Sequence, residues 1–314
     1  MNRGGGLLIG PASAPAPATT LTPPILVMLL AASVAGTALL PPGPQILTAL
    51  LVIIALGVPH GALDGELARE ALRPGFGRIW FLVFSTPYLL LAGLVLISWQ
   101  VAPTATLVAF FAASVWHFGS EETSSPSTVE ILARGGLPIG MAVLAHPVAT
   151  ASLFATISHT TMAQPPAWMW FGSLAWLGYA GLWAGRCAAA GTGNRLILPG
   201  VLACVFLALP PLTAFAIYFV CIHAPAHTRA VITDRMRGRR VHDVRSAVLL
   251  SLPVTALTLI LGAALWPLYS GPPDQRLLSL TIQGLAALTL PHMLFEAWLT
   301  RRVRIPRPGH LAPR

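Results

Sequence analysis

Long apolar runs separated by short polar or Arg-containing stretches make up most of this chain. Ten of the runs are candidate membrane spans, because about 20 apolar residues cross a bilayer as a helix. The seventh and eighth runs are short and separated by Pro210-Pro211, so they are either two tilted spans or one long broken helix. The sequence therefore predicts an all-α, polytopic membrane helical bundle with about eight to ten transmembrane helices. The approximate bounds of the runs are 25–40, 45–63, 79–98, 104–119, 131–150, 168–186, 196–209, 212–227, 246–268 and 277–299.

The composition argues against a soluble globular domain. Of the 314 residues, 55% are hydrophobic and 9% are charged, with a mean hydropathy of +0.73, whereas soluble domains contain about 25% charged residues. A transmembrane barrel is not indicated either, because the short segments of alternating hydrophobicity that build one are absent. We expect three regions: a disordered N-terminal segment rich in Pro, Ala and Gly (1–24), a membrane-embedded domain (25–300) and a basic C-terminal tail (301–314).

Basic residues outnumber acidic ones, and their distribution predicts the orientation in the membrane. The net charge is +9, and all 19 basic residues are Arg. A basic chain can bind nucleic acid, but here the Arg residues lie in short loops between apolar runs, which is typical of membrane topology. With ten spans, every Arg except Arg276 falls on one side, which the positive-inside rule assigns to the cytoplasm. We therefore expect a multi-pass protein of the cell (inner) membrane with cytoplasmic Arg-rich loops and C-terminus, and no nucleic-acid partner.

Five of the nine histidines are predicted to lie at one depth in the membrane. His60, His117 and the pair His223 and His227 end three different spans on the cytoplasmic side, and His292 lies in the same half of the last span. Ionisable groups inside a membrane are costly and usually functional, and neutral imidazole is the commonest metal ligand. His223 and His227 are four residues apart and so share a helix face. The pattern predicts a metal site.

The surrounding residues leave the identity of the metal open. The donors are imidazoles, which suit iron, copper, zinc and nickel. Cys187, Cys204 and Cys221 lack a CxxC spacing, and we assign them no disulfide or metal role. Three carboxylates follow a candidate ligand by one helical turn and can hold its second ring nitrogen: Asp64, Glu121 and Glu296. Four aromatic residues adjacent to candidate ligands are candidates for lining a tunnel for a long apolar substrate: Trp116, Phe118, Tyr218 and Phe219.

Four sequence motifs resemble a known family. "GVPHGALD", "WHFGSEE", "IYFVCIHAPAH" and "LTLPHM", in this order, resemble the Brp/Blh family of β-carotene 15,15′-dioxygenases, which are integral membrane enzymes of bacteria and archaea. The resemblance implies a non-haem iron centre, Fe(2+), held by His60, His117, His223 and His227. It implies that His292 either lines the substrate pocket or contacts a ligand of the iron, rather than binding the iron itself. One departure is Ala224-Pro225-Ala226 inside the histidine pair, where family members commonly carry Arg and bulkier residues.

The resemblance also implies the reaction and the partners. A member of this family cleaves β-carotene, or a similar apolar polyene, centrally with O2 to give two retinal molecules. The partners are then the carotenoid, O2, the lipid bilayer and a rhodopsin as candidate acceptor of retinal.

Other functions fit the residues less well. The main alternative is a membrane protein that transports a metal or a substrate, since ionisable groups also mark transport paths, but these histidines are predicted at one depth. A haem protein would need histidines on opposing faces, and a membrane di-iron enzyme would need more histidine boxes. The chain has no GxSxG, P-loop or dinucleotide fingerprint.

Overall fold

The structure is a computed structural model that describes residues 32–33, 36–121, 127–234 and 239–304. Within these ranges every regular element is helical. The predicted disordered segment 1–24 lies outside the described residues, as do most of the first candidate span (25–40) and residues 305–314 of the predicted tail.

Fourteen α-helices have both ends within the described residues. The first eight are α1 Pro42–Val52, α2 Val58–Ala62, α3 Asp64–Phe76, α4 Trp80–Val101, α5 Pro103–Glu121, α6 Thr128–Gly135, α7 Leu137–Ala145 and α8 Pro147–Ser158. The others are α9 Ala167–Ala189, α10 Ile197–Ala208, α11 Pro211–Tyr218, α12 Ala224–Thr233, α13 Val244–Leu265 and α14 Pro273–Arg304. Two π-helical segments, Ile53–Gly57 and Phe219–His223, and three 3₁₀ turns, Gly77–Ile79, Gly193–Leu196 and Trp266–Leu268, connect some of them.

Several helical stretches have the length and composition of a membrane span. There are four such stretches among the described residues, or five if α6 and α7, which meet at a 45° bend, form one broken span. The first stretch, Gly43–Val101, includes the predicted spans 45–63 and 79–98. The other three are Pro211–Thr233, Val244–Leu268 and Pro273–Arg302. An all-α membrane bundle is thereby confirmed, whereas the number of eight to ten spans stays a prediction.

Proline and glycine interrupt the helix in two regions of the predicted spans. The predicted span 131–150 is not one helix, because the chain bends at Gly136 and again at His146 before Pro147. The seventh and eighth runs are separate helices, since Leu209 and Pro210 are extended between α10 and α11. Proline cannot donate a backbone hydrogen bond and forces its predecessor out of the helical conformation, which accounts for the breaks at His146 and Leu209.

Large apolar side chains occur both inside the bundle and on its outer surface. Trp99, Phe206 and Tyr218 are fully buried in the main core, whereas Leu90 and Ile260 are 64% and 65% exposed on long apolar helices. An exposed apolar surface is unfavourable in water but suits contact with lipid.

Two glycines bring α5 and α6 into backbone contact. A Cβ on Gly119 would clash with the carbonyl oxygen of Ile131, and a Cβ on Gly135 would clash with that of Val115. Small residues permit this close approach between membrane helices. The contact fixes the end of α5, which carries His117.

An ion-pair cluster joins α6 to the segment before α10. Glu130 is 3% exposed, and its Oε1 lies 2.9 Å from Nε of Arg134 and 2.7 Å from Nη2 of Arg195. The Arg134 guanidinium also lies 4.7 Å from the ring of Trp183 on α9. Because an unpaired buried carboxylate is strongly unfavourable, these contacts hold the three segments together.

The first turn of α13 is capped by Asp243. The Ser246 backbone N–H donates to the Asp243 carboxylate at 2.7 Å, and the Ser246 hydroxyl accepts from the backbone N–H of Asp243. This reciprocal capping box satisfies backbone groups at the helix start. The hydrogen bond from Ser246 lowers the pKa of the exposed Asp243 carboxyl.

Candidate metal centre

Five buried imidazoles meet inside the bundle, and they come from four regions distant in sequence. His60 lies on α2, His117 on α5, His223 in the second π-helical segment, His227 on α12 and His292 on α14. Each is at most 8% exposed. The ring centroids of His60 lie 5.4 Å from His223, 5.5 Å from His227 and 6.1 Å from His292. His117 lies 5.0 Å from His223 and 5.2 Å from His292, so the structure brings all five rings together.

Both π-helical segments lie at this cluster. Ile53–Gly57 precedes α2 and its histidine, and Phe219–His223 ends at the first histidine of the HxxxH pair. π-helical turns are rare and often occur at functional sites. Pro225 lies in the first turn of α12, directly after the second segment, where its missing N–H is tolerated. The hydropathy pattern contained no signal for these turns.

Several ring nitrogens in the cluster have no hydrogen-bond partner. Nε2 of His223, His227 and His292 are all buried and unpaired within the described part of the chain. A buried polar atom without a partner costs about 1–3 kcal/mol, and most such atoms in proteins are satisfied. Three unpaired imidazole nitrogens in one place therefore fit a bound cation.

The second ring nitrogens of two histidines are held by the protein. Nδ1 of His60 donates to the Gly57 carbonyl oxygen, and Nδ1 of His117 lies 3.2 Å from Oε1 of Glu121. A carbonyl or carboxylate that accepts from Nδ1 leaves Nε2 as the donor atom for a metal and fixes the ring orientation. The expected pairing of Glu121 with His117 is thus present in the structure.

Asp64 has a different partner from the one that its spacing suggests. It lies one helical turn beyond His60, but its Oδ2 lies 2.8 Å from Nδ1 of His292. The hydroxyl of Tyr88 donates to the same oxygen at 3.2 Å. Asp64 begins α3 after the turn at Leu63, and its side chain lies against α14 rather than α2. The contact joins residues 228 positions apart, so local spacing could not reveal it.

Glu121 lies among the histidines rather than at the edge of the cluster. Besides its contact with His117, its Oε2 lies 3.6 Å from Nδ1 of His227 and 3.8 Å from Nε2 of His223. Its Oε1 lies 3.8 Å from Nε2 of His292. Among the described residues, two groups of three could each hold an ion, because the donor atoms within each group lie within 4.8 Å of one another. The first group is Asp64, His227 and His292, and the second is His117, Glu121 and His292.

Glu296 and Trp116 lie further out. Glu296 is partly buried one helical turn beyond His292 and interacts electrostatically with His227. Trp116 is 50% exposed on the outside of α5, so it does not line an internal pocket. Its neighbour His117 points inward, and adjacent helical residues face different directions.

Aromatic rings cover the cluster on one side. Phe118 lies edge-on to His223 with centroids 4.8 Å apart, and Tyr218 packs edge-on against Phe118 at 5.4 Å. Phe219 stacks on His223 at 5.5 Å and meets His60 edge-on at 5.2 Å. All three aromatic side chains are buried, so they keep water away from the imidazoles.

An apolar cavity adjoins this aromatic layer. Its volume is about 80 Å³, and it opens between α5, α7, α8, α11 and α14. The Ser114 hydroxyl also lines it, buried and without a hydrogen-bond partner among the described residues. Of the four aromatic residues expected to line a tunnel, Phe118 lines this cavity. The other lining residues were not predicted, because the wall combines five helices. Its lining includes Phe111, Phe118, Ala142, Phe154, Phe215 and Leu285.

The remaining histidines are elsewhere. Nε2 of His146 lies 2.9 Å from the Phe206 carbonyl oxygen. His159 ends α8 in the left-handed conformation, and His242 is exposed in the loop before α13. His310 lies outside the described residues. For the eight described histidines, the division between clustered and peripheral positions is therefore the one that the sequence predicts.

Comparison with known proteins identifies the family. A family model described as beta-carotene 15,15′-dioxygenase matches residues 51–300. The chain is 27% identical over 286 residues to the probable beta-carotene 15,15′-dioxygenase Blh of Halobacterium salinarum, covering 79% of this chain and 82% of that protein. It is 26% identical over 265 residues to the beta-carotene 15,15′-dioxygenase of uncultured marine bacterium 66A03, covering 81% and 93% respectively. No solved structure matches. Since the family model covers most of its length, this chain belongs to the beta-carotene 15,15′-dioxygenase family, as its four motifs predict.

Proposed function

We propose that this chain is a membrane non-haem iron dioxygenase that cleaves β-carotene, or a related carotenoid, at its central double bond with O2. His60, His117, His223 and His227 would bind the iron. The observation that carries the proposal is the cluster of buried imidazoles from distant helices, with unpaired nitrogens beside an apolar cavity.

Ferrous iron fits the donors at this site. Imidazole nitrogens are suitable ligands for it, and a divalent cation would compensate the negative charge of Asp64 and Glu121. When bound, iron supplies the redox chemistry that allows dioxygen to react with a carbon–carbon double bond. The protein's own contribution is to position the reactants and exclude water.

The overall reaction requires no further reactant. The central double bond breaks, and each of its two carbons receives one oxygen atom of O2, giving two aldehydes. The electrons balance without an external reductant. This agrees with the absence of a dinucleotide fingerprint from the sequence.

Side chains around the centre have separate tasks in this proposal. The Gly57 carbonyl accepts a hydrogen bond from His60, and the Glu121 carboxylate lies 3.2 Å from Nδ1 of His117, so each ring is kept in one orientation. Phe118 and Phe219 shield the reacting carbons from water. An amino-acid nucleophile is not needed.

The apolar cavity is suited to one end of a carotenoid. Phe118 and Phe215 line it, and Phe118 also contacts His223, so the cavity begins one ring away from the imidazoles. On α5 its lining includes Ser114, three residues before His117, and on α14 it includes Ile282, ten residues before His292. At a rise of 1.5 Å per residue along the helix axis, these two lining residues lie about 5 and 15 Å from the histidine on the same helix. An extended polyene in the cavity would have its central bond near the metal and its end group beyond Ser114.

The membrane location suits both substrate and product. A carotenoid dissolves in the bilayer, and retinal is apolar enough to leave through it. We place the protein in the cell membrane with its Arg-rich loops in the cytoplasm, and a neighbouring rhodopsin is a natural acceptor of retinal.

Expression in a bacterium that accumulates β-carotene tests the function. The wild-type chain should bleach the orange colour and yield retinal, measured by chromatography. His223→Ala should abolish retinal formation, because it removes a proposed iron ligand. His242→Ala is the matched control: it removes an exposed histidine and should leave conversion unchanged.

Two results would contradict this function. One is unchanged β-carotene in cells whose wild-type protein is folded and contains iron. The other is a change in carotenoid or metal uptake without any cleavage product, which would favour the transport alternative.

A further inference from the structure

We infer that His292 is a fifth imidazole ligand of the metal centre and that Asp64 is the carboxylate that positions it. The inference rests on the proposed iron site but goes beyond its four-histidine ligand set. It also differs from the outer-partner role that the sequence motifs imply for His292.

The two ring nitrogens of His292 have different surroundings. Nδ1 lies 2.8 Å from Oδ2 of Asp64, and the Tyr88 hydroxyl donates to the same oxygen at 3.2 Å. Nε2 is buried and unpaired among the described residues. A carboxylate on Nδ1 with Nε2 turned to the ion is the usual arrangement of a metal-binding histidine.

His292 also occupies a central place in the cluster. His292 belongs to both of the three-residue groups that could hold an ion. Its ring centroid lies 5.1 Å from that of His227, 5.2 Å from that of His117 and 6.1 Å from that of His60. A residue that acted only through another ligand would bind that ligand's second nitrogen, but His292 binds Asp64 instead.

A histidine with a structural role looks different in the same protein. His146 directs Nε2 to the carbonyl oxygen of Phe206 at 2.9 Å and thereby ties α7 to α10. Nε2 of His292 has no such backbone acceptor; its nearest acidic contact there is Oε1 of Glu121 at 3.8 Å, which is too long for a hydrogen bond. The free nitrogen therefore faces the other imidazoles and is available to a cation.

Metal binding by purified full-length variants distinguishes a ligand from a merely structural residue. The variants are His292→Ala, His292→Gln, Asp64→Asn and the control His146→Ala. The first readout is iron retention during competition with a chelator. The second is the visible absorption of the cobalt(II)-substituted protein, which reports the number and type of ligands.

We expect both His292 variants to change the cobalt(II) spectrum and to lose iron most readily. Asp64→Asn should weaken iron binding about 10- to 100-fold, as loss of a carboxylate behind a ligand histidine does, with a cobalt spectrum close to the wild type. His146→Ala should match the wild type in both readouts. The glutamine variant keeps a polar side chain of similar size and so separates loss of a ligand from loss of packing.

An unchanged cobalt spectrum in a folded, metal-loaded His292→Gln protein would overturn the inference, as would two tightly bound irons per chain. These failures differ from failure of the proposed function, which would appear as a wild-type protein that binds no iron or forms no retinal.

Discussion

Gly57 controls how closely two histidine-bearing segments approach each other. A Cβ at this position would overlap the ring of Phe219, which stacks on His223 and meets His60 edge-on. The Gly57 carbonyl also accepts the hydrogen bond from His60. One glycine therefore allows both the ring packing and the orientation of a proposed ligand.

Gly57→Ala should displace Phe219 and disturb the metal centre. Overpacking a filled site costs about 1–3 kcal/mol, so we expect a lower melting temperature and a reduced iron content in the purified protein. Gly61→Ala is the control from the adjoining helix, because a Cβ there meets no atom within 4 Å. Alanine should stabilise that helix by about 0.5–1 kcal/mol relative to glycine. Equal iron contents and melting temperatures in the two variants would contradict this account of Gly57.

Residue positions along the helices were predictable, but contacts between distant helices were not. The five clustered histidines follow from where apolar runs end. The partner of Glu121 follows from its four-residue spacing to His117. The pairing of Asp64 with His292 and Tyr88 does not, because it depends on the packing of α3 against α4 and α14.

The α7 and α11 helices, which form much of the cavity wall, follow the breaks at Gly136 and Pro210. The Pro210-Pro211 pair indicated the second break, but hydropathy alone merged α6 and α7 into one span. The π-helical turns were not predictable either, since a single inserted residue barely changes an apolar pattern. These irregular features are concentrated around the centre, as is common at functional sites.

Filling the cavity should affect substrate use without affecting iron. Ala142 on α7 is buried and lines the cavity, so Ala142→Phe would occupy space that we assign to the carotenoid. We expect kcat/KM for β-carotene to fall about tenfold or more, equivalent to about 1.4 kcal/mol, with an unchanged iron content. Ala175→Phe makes the same change on the exposed face of α9 and should have no effect. Normal kinetics in Ala142→Phe would exclude this cavity as the substrate site.

The whole molecule combines an apolar outer surface with a polar centre built from distant parts of the chain. The class of this architecture was predictable, because composition and long apolar runs indicate a helical membrane bundle. The orientation from the Arg distribution and the total number of spans stay predictions, as the structure contains no membrane and the first candidate span lies mostly outside the described residues. Hydropathy indicates how deep in the membrane a residue lies, but it does not indicate which helices are neighbours.

X-ray absorption at the iron edge of the purified wild-type protein tests the whole account. It should show one iron per chain surrounded by nitrogen donors with the outer scattering pattern of imidazole, without sulfur ligands and without haem. Folded protein that cleaves a carotenoid but contains no iron, or iron bound by sulfur or haem, would contradict the proposed histidine centre.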